Sequence, residues 1–334
     1  MSFPPPSSAA WGRRALLGAA SALAMPALAR ADAPSSSAWP NRSIRLVSGF
    51  PAGGGIDVLA RTLGRLLQGP LGQPVVVENI TGVGGSLGAQ AVRRSAPDGY
   101  NLFLATTATH AIGPVLNPAI GYDPVKDFDL VATLCTFGFV LMTPPTGATT
   151  LAGLVEQAKG DPASVTYGTS GIGTPHQIAF ELLRQQGGFE ATHVPYRGMS
   201  HAILDLTAGR LGAMFCDIPS AVALSRGSPV NFLAVTTKER HPALRDTPTL
   251  AELGYSCFDV TWQALVAPAG TPAPILRRLG EEVVAAIGTP EGRRRIEELG
   301  LSASPRVATE NDTFLADLYA EWTQWVRQSR IAAA

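Results

Sequence analysis

Ser170 and His176 are the residues whose types and spacing come nearest to doing covalent chemistry, six apart across Gly171-Ile172-Gly173-Thr174-Pro175. A serine within reach of an imidazole is the start of a nucleophile–base pair. The run Gly168-Thr169-Ser170-Gly171-Ile172 nearly makes the G-x-S-x-G elbow of a hydrolase, but Ile172 stands where the last glycine belongs. His176 also falls near a helix start, where the positive helix end lowers imidazole basicity, and no acidic orienter adjoins it. The expectation is a ligand-contacting histidine in a protein that is not an enzyme, with a serine hydrolase as the remote alternative.

A second kind of chemistry needs no side chain. Glycines let a backbone approach a ligand closely, and free N–H groups at helix starts attract carboxylate or phosphate. Six stretches have this character: Phe50 to Asp57, Glu78 to Ser86, Thr106 to His110, Ser170 to His176, Tyr196 to Gly198, and Cys216 to Asp217. They nominate Phe50, Ala52, Gly53, Gly54, Asp57, Asn79, Gly84, Gly85, Thr106, Thr107, Ser170, Gly173, Thr174, His176, Tyr196, Arg197 and Asp217 as ligand-binding residues. Asp57 could cap its own helix or orient bound water. Nucleotide motifs fail on spacing: Leu87 occupies the last glycine position of G-x-G-x-x-G, and no G-K-[ST] follows any loop. Cys135, Cys216 and Cys257 sit in no C-x-x-C or His-rich context. No metal or cofactor is expected, and buried unpaired thiols are.

The elements that must position these loops alternate. Ile44 to Val47 reads as a strand, and Ile56, Leu59, Ala60, Leu63, Leu66 and Leu67 follow at helical spacing. Val75 to Val77 is a second strand, with Ser86 as N-cap of the next helix, and Leu102 to Ala105 a third. The same grammar returns in Phe139 to Met142, the helix Leu151 to Lys159, the strand Val165 to Tyr167, and a helix opened by Thr174 as capping hydroxyl and Pro175. His193 to Tyr196, Met214-Phe215, Phe232 to Val235 and Trp262 to Val266 are further strands, with three helices closing the chain. Strand–loop–helix repeats mean α/β with parallel sheets. Two lobes, with the chain leaving the first and later returning, fit this pattern; one long doubly wound sheet fits the periodicities nearly as well. Trp322 and Trp325 are read as core, and Trp262 as lining either the cleft or the hinge.

Twenty-six Lys+Arg against 26 Asp+Glu argue against nucleic-acid binding. Arg13-Arg14 precedes the weakly apolar stretch Ala15 to Ala29, then Ala31-Asp32-Ala33. That is the pattern of a signal peptide over 1–33, the paired arginines suggesting the twin-arginine route. A periplasmic protein, soluble once its signal is cleaved, is expected.

Several segments together are similar to the Bug family, the extracytoplasmic solute receptors of tripartite tricarboxylate transporters. They are Phe50-Pro51-Ala52-Gly53-Gly54-Gly55-Ile56-Asp57, Val76-Val77-Glu78-Asn79 with Gly82-Val83-Gly84-Gly85, Ala96-Pro97-Asp98-Gly99-Tyr100, Tyr122-Asp123-Pro124, Val194-Pro195-Tyr196-Arg197-Gly198 and Ala267-Pro268-Ala269-Gly270-Thr271-Pro272. The resemblance implies a type II periplasmic-binding-protein fold, two α/β lobes joined by a hinge around a ligand cleft. Lobe 1 would be 34–136 plus 260–334, and lobe 2 137–259. It further implies a monomer that captures a small organic acid by lobe closure. Residues Ala52 to Gly55 with Asp57, and Asn79 with Gly84 and Gly85, would hold one carboxylate; Ser170, Gly173, Thr174, His176 and the end of the Val-Pro-Tyr segment would add contacts. The partner would be the membrane transporter subunits or, in the alternative reading, a sensor-kinase ectodomain. Where the family more often carries Asp-Asn after Met-Phe, this chain has Cys216-Asp217, so a thiol is expected in place of a cleft-facing carboxylate. Arg197 replaces the commoner Lys.

Overall fold

The computed structural model describes residues 1–3 and 39–331, apart from 197, 226 and 228. The stretch read as a signal peptide lies outside the described residues beyond its first three positions, as does Arg197.

The strands form two sheets, as the two-lobe reading expects. One has six strands, ordered β11-β4-β10-β3-β1-β2, and the other five, ordered β7-β6-β8-β5-β9. In the first, β1 (Ile44–Ser48) pairs in parallel with β2 (Val75–Asn79) and β3 (Asn101–Thr106). Antiparallel β10 (Thr261–Pro268), β4 (Phe128–Phe137) and β11 (Ser302–Val307) complete it. In the second, β6 (Thr166–Thr169) lies parallel to β7 (Thr192–Pro195) and β8 (Ala213–Asp217), while β5 (Phe139–Thr143) runs antiparallel to β8 and β9 (Asn231–Val235).

Apolar periodicity fixes the helices. In α1 (Gly55–Leu71) the buried residues Leu59, Ala60, Leu63 and Leu67 form one stripe, and the helix ends on left-handed Gly72. It shares a face of the first sheet with α8 (Ala273–Gly288) and α9 (Pro290–Glu298); α2 (Ser86–Arg93) covers the other face. The second sheet carries α4 (Leu151–Gly160) and α5 (Pro175–Gly187) on one face, and α6 (Met199–Thr207) with α7 (Ile218–Ser225) on the other. A short α3 (Gly113–Leu116) follows a π turn at Ala108–Ile112.

Two crossings join the sheets. The chain leaves β4 at Phe137 and enters β5 at Phe139, with Gly138 alone between them. It returns from β9 to β10 through 236–260. The crossings are stitched together: Phe139 N donates to Thr236 Oγ1 (3.0 Å), Thr236 Oγ1 to Asp259 O (2.8 Å), and Thr261 Oγ1 to Phe137 O (3.3 Å). A Cβ on Gly138 would stand 2.4 Å from Thr237 Cγ2, so only glycine passes here undisturbed. Helix α10 (Phe314–Ser329) adds a third link: Leu315 packs in a core of the first sheet, Trp322 and Val326 in a core of the second.

Candidate ligand-binding site

Topology brings the ends of the parallel strands to one place. β4 runs in the same direction as β3, so its exit at Phe137 lies beside the end of β3, Thr106 pairing with Gln263 and Phe137 with Thr261. β5 then starts beside the end of β8, Phe139 opposite Asp217. The carboxyl ends of β1, β2 and β3 and those of β6, β7 and β8 therefore meet at the junction between the sheets, where open α/β folds bind ligands.

On the first sheet, three loops close on one another. Gly85 has φ +93°, and a Cβ there would stand 2.8 Å from Thr109 Cγ2 and 3.2 Å from Phe50 Cε2. Glycine is required on both counts. Asp57 is buried yet fully used: Oδ2 accepts from Gly53 N (2.8 Å) and Arg61 Nε (3.0 Å), and Oδ1 from Asn79 Nδ2 (2.9 Å). Asn79 also donates to Phe50 O (2.9 Å) and accepts from Arg61 (3.2 Å). Burial pushes the Asp57 carboxyl upward, but the hydrogen bonds from Arg61, Gly53 and Asn79 and the Arg61 charge outweigh it, and its pKa falls to about 2. Asp57 thus ties the first loop to the second as a carboxylate. Arg61 escaped sequence reading, although its place four residues after Asp57 on one helix face was the available signal.

Thr106 and Thr107 face inward. Thr106 exchanges hydrogen bonds with Thr109 (Oγ1 to Oγ1, 3.4 Å), and Thr107 Oγ1 accepts from Trp262 N (3.1 Å). Trp262, expected to line the cleft or the hinge, is instead buried in a core of the first sheet, its ring 5.6 Å from that of Phe314. His110 Nδ1 lies 3.0 Å from Thr109 Oγ1, among Phe103, Tyr122 and Phe128. Burial pushes its pKa down to about 3, so it is neutral.

The second sheet supplies a matching cluster. Ser170 Oγ and His176 Nδ1 are 3.0 Å apart, as the spacing suggested. His176 Nε2 is buried without a partner, the ring meets the edge of Phe139, and burial lowers its pKa to about 3. Such an imidazole does not take a serine proton near neutral pH. Thr174 precedes α5 as expected, with Pro175 at the first helical position, but its hydroxyl does not cap the helix: it donates to Gly171 O (2.8 Å). Gln177 receives the Gly173 N–H instead (2.8 Å). Ser86 is likewise corrected. It is the first residue of α2, the N-cap is left-handed Gly85, and Ser86 Oγ faces Tyr122 OH (3.4 Å).

The helix starts differ in a way that matters. The first turns of α1, α2, α5 and α6, each following a parallel strand, have Gly54, Gly85, Thr174 and Gly198 as N-caps, with no side-chain cap bond. Among the other helices, α4 and α9 are capped by Thr150 (3.1 Å) and Thr289 (2.9 Å), and α8 and α10 also start without a side-chain cap bond, so it is the position of the four starts at the strand ends that sets them apart. In α1 the first intrahelical bond runs from Val58 N to Gly54 O, leaving the Gly55 and Ile56 N–H groups open.

A profile described as "Tripartite tricarboxylate transporter family receptor" matches residues 59–330. The chain belongs to that receptor family. Protein BugT of Bordetella pertussis is 34% identical to the receptor over 301 residues, 88% of this chain and 91% of BugT. A protein of Rhodopseudomonas palustris solved with adipate is 31% identical, with a TM-score of 0.80 over 88% of this chain and 99% of that one. MatC from the same organism, solved with bound malate, is 29% identical with a TM-score of 0.75, over 86% and 100%.

The remaining candidates fall around the same strand ends. Tyr196 N donates to Thr169 O (3.0 Å), while its hydroxyl turns to Asp205 (2.7 Å) on α6. Asp217 accepts from Ser220 N (3.1 Å) at the start of α7. Cys216 does not put a thiol into the cleft. It is buried in the core beside Val140, Met142 and Ala221, where burial, with the Asp217 charge, pushes its pKa well up. Cys135 and Cys257 are unpaired too. A separate cavity of about 630 Å³ lies between Pro114–Pro124 and α10; its Arg93 is already paired with Asp127 (2.7 Å), and none of the strand-end loops lines it.

Proposed function

We propose that this receptor captures a small dicarboxylate between its two lobes and presents it to the membrane subunits of a tripartite transporter, working in the periplasm after its leader is removed. The observation that carries the reading is the set of uncapped helix starts at α1, α2, α5 and α6, all following parallel strands whose ends meet where the lobes join. Open N–H groups at a helix N-terminus favour an anion, and sites on both lobes suit a ligand with a carboxylate at each end. Gly55 and Gly84 would hold one carboxylate through their amides, Asp57 and Asn79 shaping the loops behind them, while the Gly85 N–H is spent on Gly82 O (3.0 Å). The amides before α5 and α6 would meet the other. The two relatives solved with dicarboxylates point the same way. Isothermal titration calorimetry against mono-, di- and tricarboxylates, amino acids and sugars is the test. Tight binding of a dicarboxylate is expected; binding of a sugar or nucleotide with no acid bound would overturn the reading.

A further inference from the structure

Two apolar side chains stand in the open where the carboxylate-holding loops end. Val83 is 62% exposed and Ile172 66% exposed. Val83 begins the turn before α2, next to Gly84 and Gly85; Ile172 lies between Gly171 and Gly173, just before α5. Val83 also has φ +47°. A β-branched residue is rarely found in this left-handed region, so its backbone is strained while its side chain is uncovered. The two loops rest on one run of chain: a Cβ at Gly85 would be 2.8 Å from Thr109 Cγ2, and one at Gly173 would be 2.9 Å from Leu116 Cδ1. Seven residues of helical turn span about 10 Å, so the loops that carry Val83 and Ile172 approach one short run of chain from opposite sheets.

The hydroxyls on these loops already make hydrogen bonds within the protein, and the unpartnered His176 Nε2 is buried. Ser170 is bonded to His176 (3.0 Å), Thr174 to Gly171 O (2.8 Å), Thr169 to His193 (2.7 Å) and Tyr196 to Asp205 (2.7 Å). A ligand hydroxyl enclosed between Val83 and Ile172 would face apolar side chains, and a polar group buried without a partner is costly. A methylene chain gains by the same enclosure.

We propose that Val83 and Ile172 are specificity-determining residues that cover the hydrocarbon middle of the ligand, so that the receptor selects a methylene-chain dicarboxylate over a hydroxylated one. This rests on the carboxylate-binding reading above and narrows it. The experiment is calorimetry with adipate, malate and citrate on the wild type, V83G, I172A and the double variant, with Tm of each ligand-free protein. The wild type is expected to bind adipate at least tenfold more tightly than malate. V83G and I172A should each lose about tenfold for adipate and less than threefold for malate. Relief of the left-handed backbone should leave the Tm of V83G equal to or above that of the wild type, which separates lost contact from lost fold. Equal losses for both acids, or malate or citrate bound most tightly by the wild type, would overturn the proposal while leaving the carboxylate reading intact. Absence of binding by any acid would sink both.

Discussion

Asp57 and His110 are both deprotonated near neutral pH for opposite reasons, one held charged by its partners and the other held neutral by burial, and both states support the fold around the site. Asp57 has a pKa lowered from 3.8 to about 2, so its contribution is complete above 3.8 and is lost as pH falls through 2. His110 has a pKa lowered from 6.5 to about 3, so the unfolded chain takes up its proton first and stability falls as pH drops from 6.5 toward 3. At pH 5 that residue alone costs about 2 kcal/mol. Urea denaturation across pH 2–7 should therefore show stability declining in two stages. In His110→Phe the decline between pH 6.5 and 4 should shrink without vanishing, because His176 is shifted in the same direction; an unchanged profile would refute the assignment. At this scale the sequence exposed the Gly-rich loops and the Ser170–His176 pair, since both are local. It could not show that Asn79 reaches back to Phe50 O across 29 residues, nor that Cys216 turns inward. Those directions are set by strand register.

Among the elements, the single-residue passage at Gly138 has the sharpest steric demand. Gly138→Ala places a methyl 2.4 Å from Thr237 Cγ2 and should cost about 1–3 kcal/mol by overpacking. Thr237→Ser removes that methyl and keeps the hydroxyl bonded to Glu239 O (2.6 Å). Chemical denaturation should find most of the loss restored in the double variant; strictly additive losses would show that the clash is not the cause. The strands β1, β2 and β3 were legible because each is a short apolar run with a clear end, the first two at a Gly-rich loop and the third at Thr106-Thr107. β4 and β11 were not recognised. β4 is buried on both faces and has no polar alternation to mark it, and β11 is an edge strand with Pro305 where its register breaks.

For the whole molecule, a ligand held by both lobes must stabilise the form in which they are closed. Adipate at a hundredfold excess over its Kd should raise the unfolding free energy by about 2.7 kcal/mol. Small-angle scattering of the same samples should show a smaller radius of gyration with ligand than without. A gain in stability with no contraction would mean that one lobe holds the ligand alone. The two-lobe arrangement could be argued from strand grammar, but the third link through α10 could not, because Leu315, Trp322 and Val326 read as one ordinary helix stripe. That link bears on how the protein is made. Every strand of the second sheet is encoded between 139 and 235, yet one of its faces waits for Trp322 and Val326, and the first sheet waits for β10, β11 and Leu315. Neither half can finish burying its core until the last helix has left the ribosome. The nascent chain therefore keeps part of both cores open until its last helix is made, and completion of the two halves should coincide.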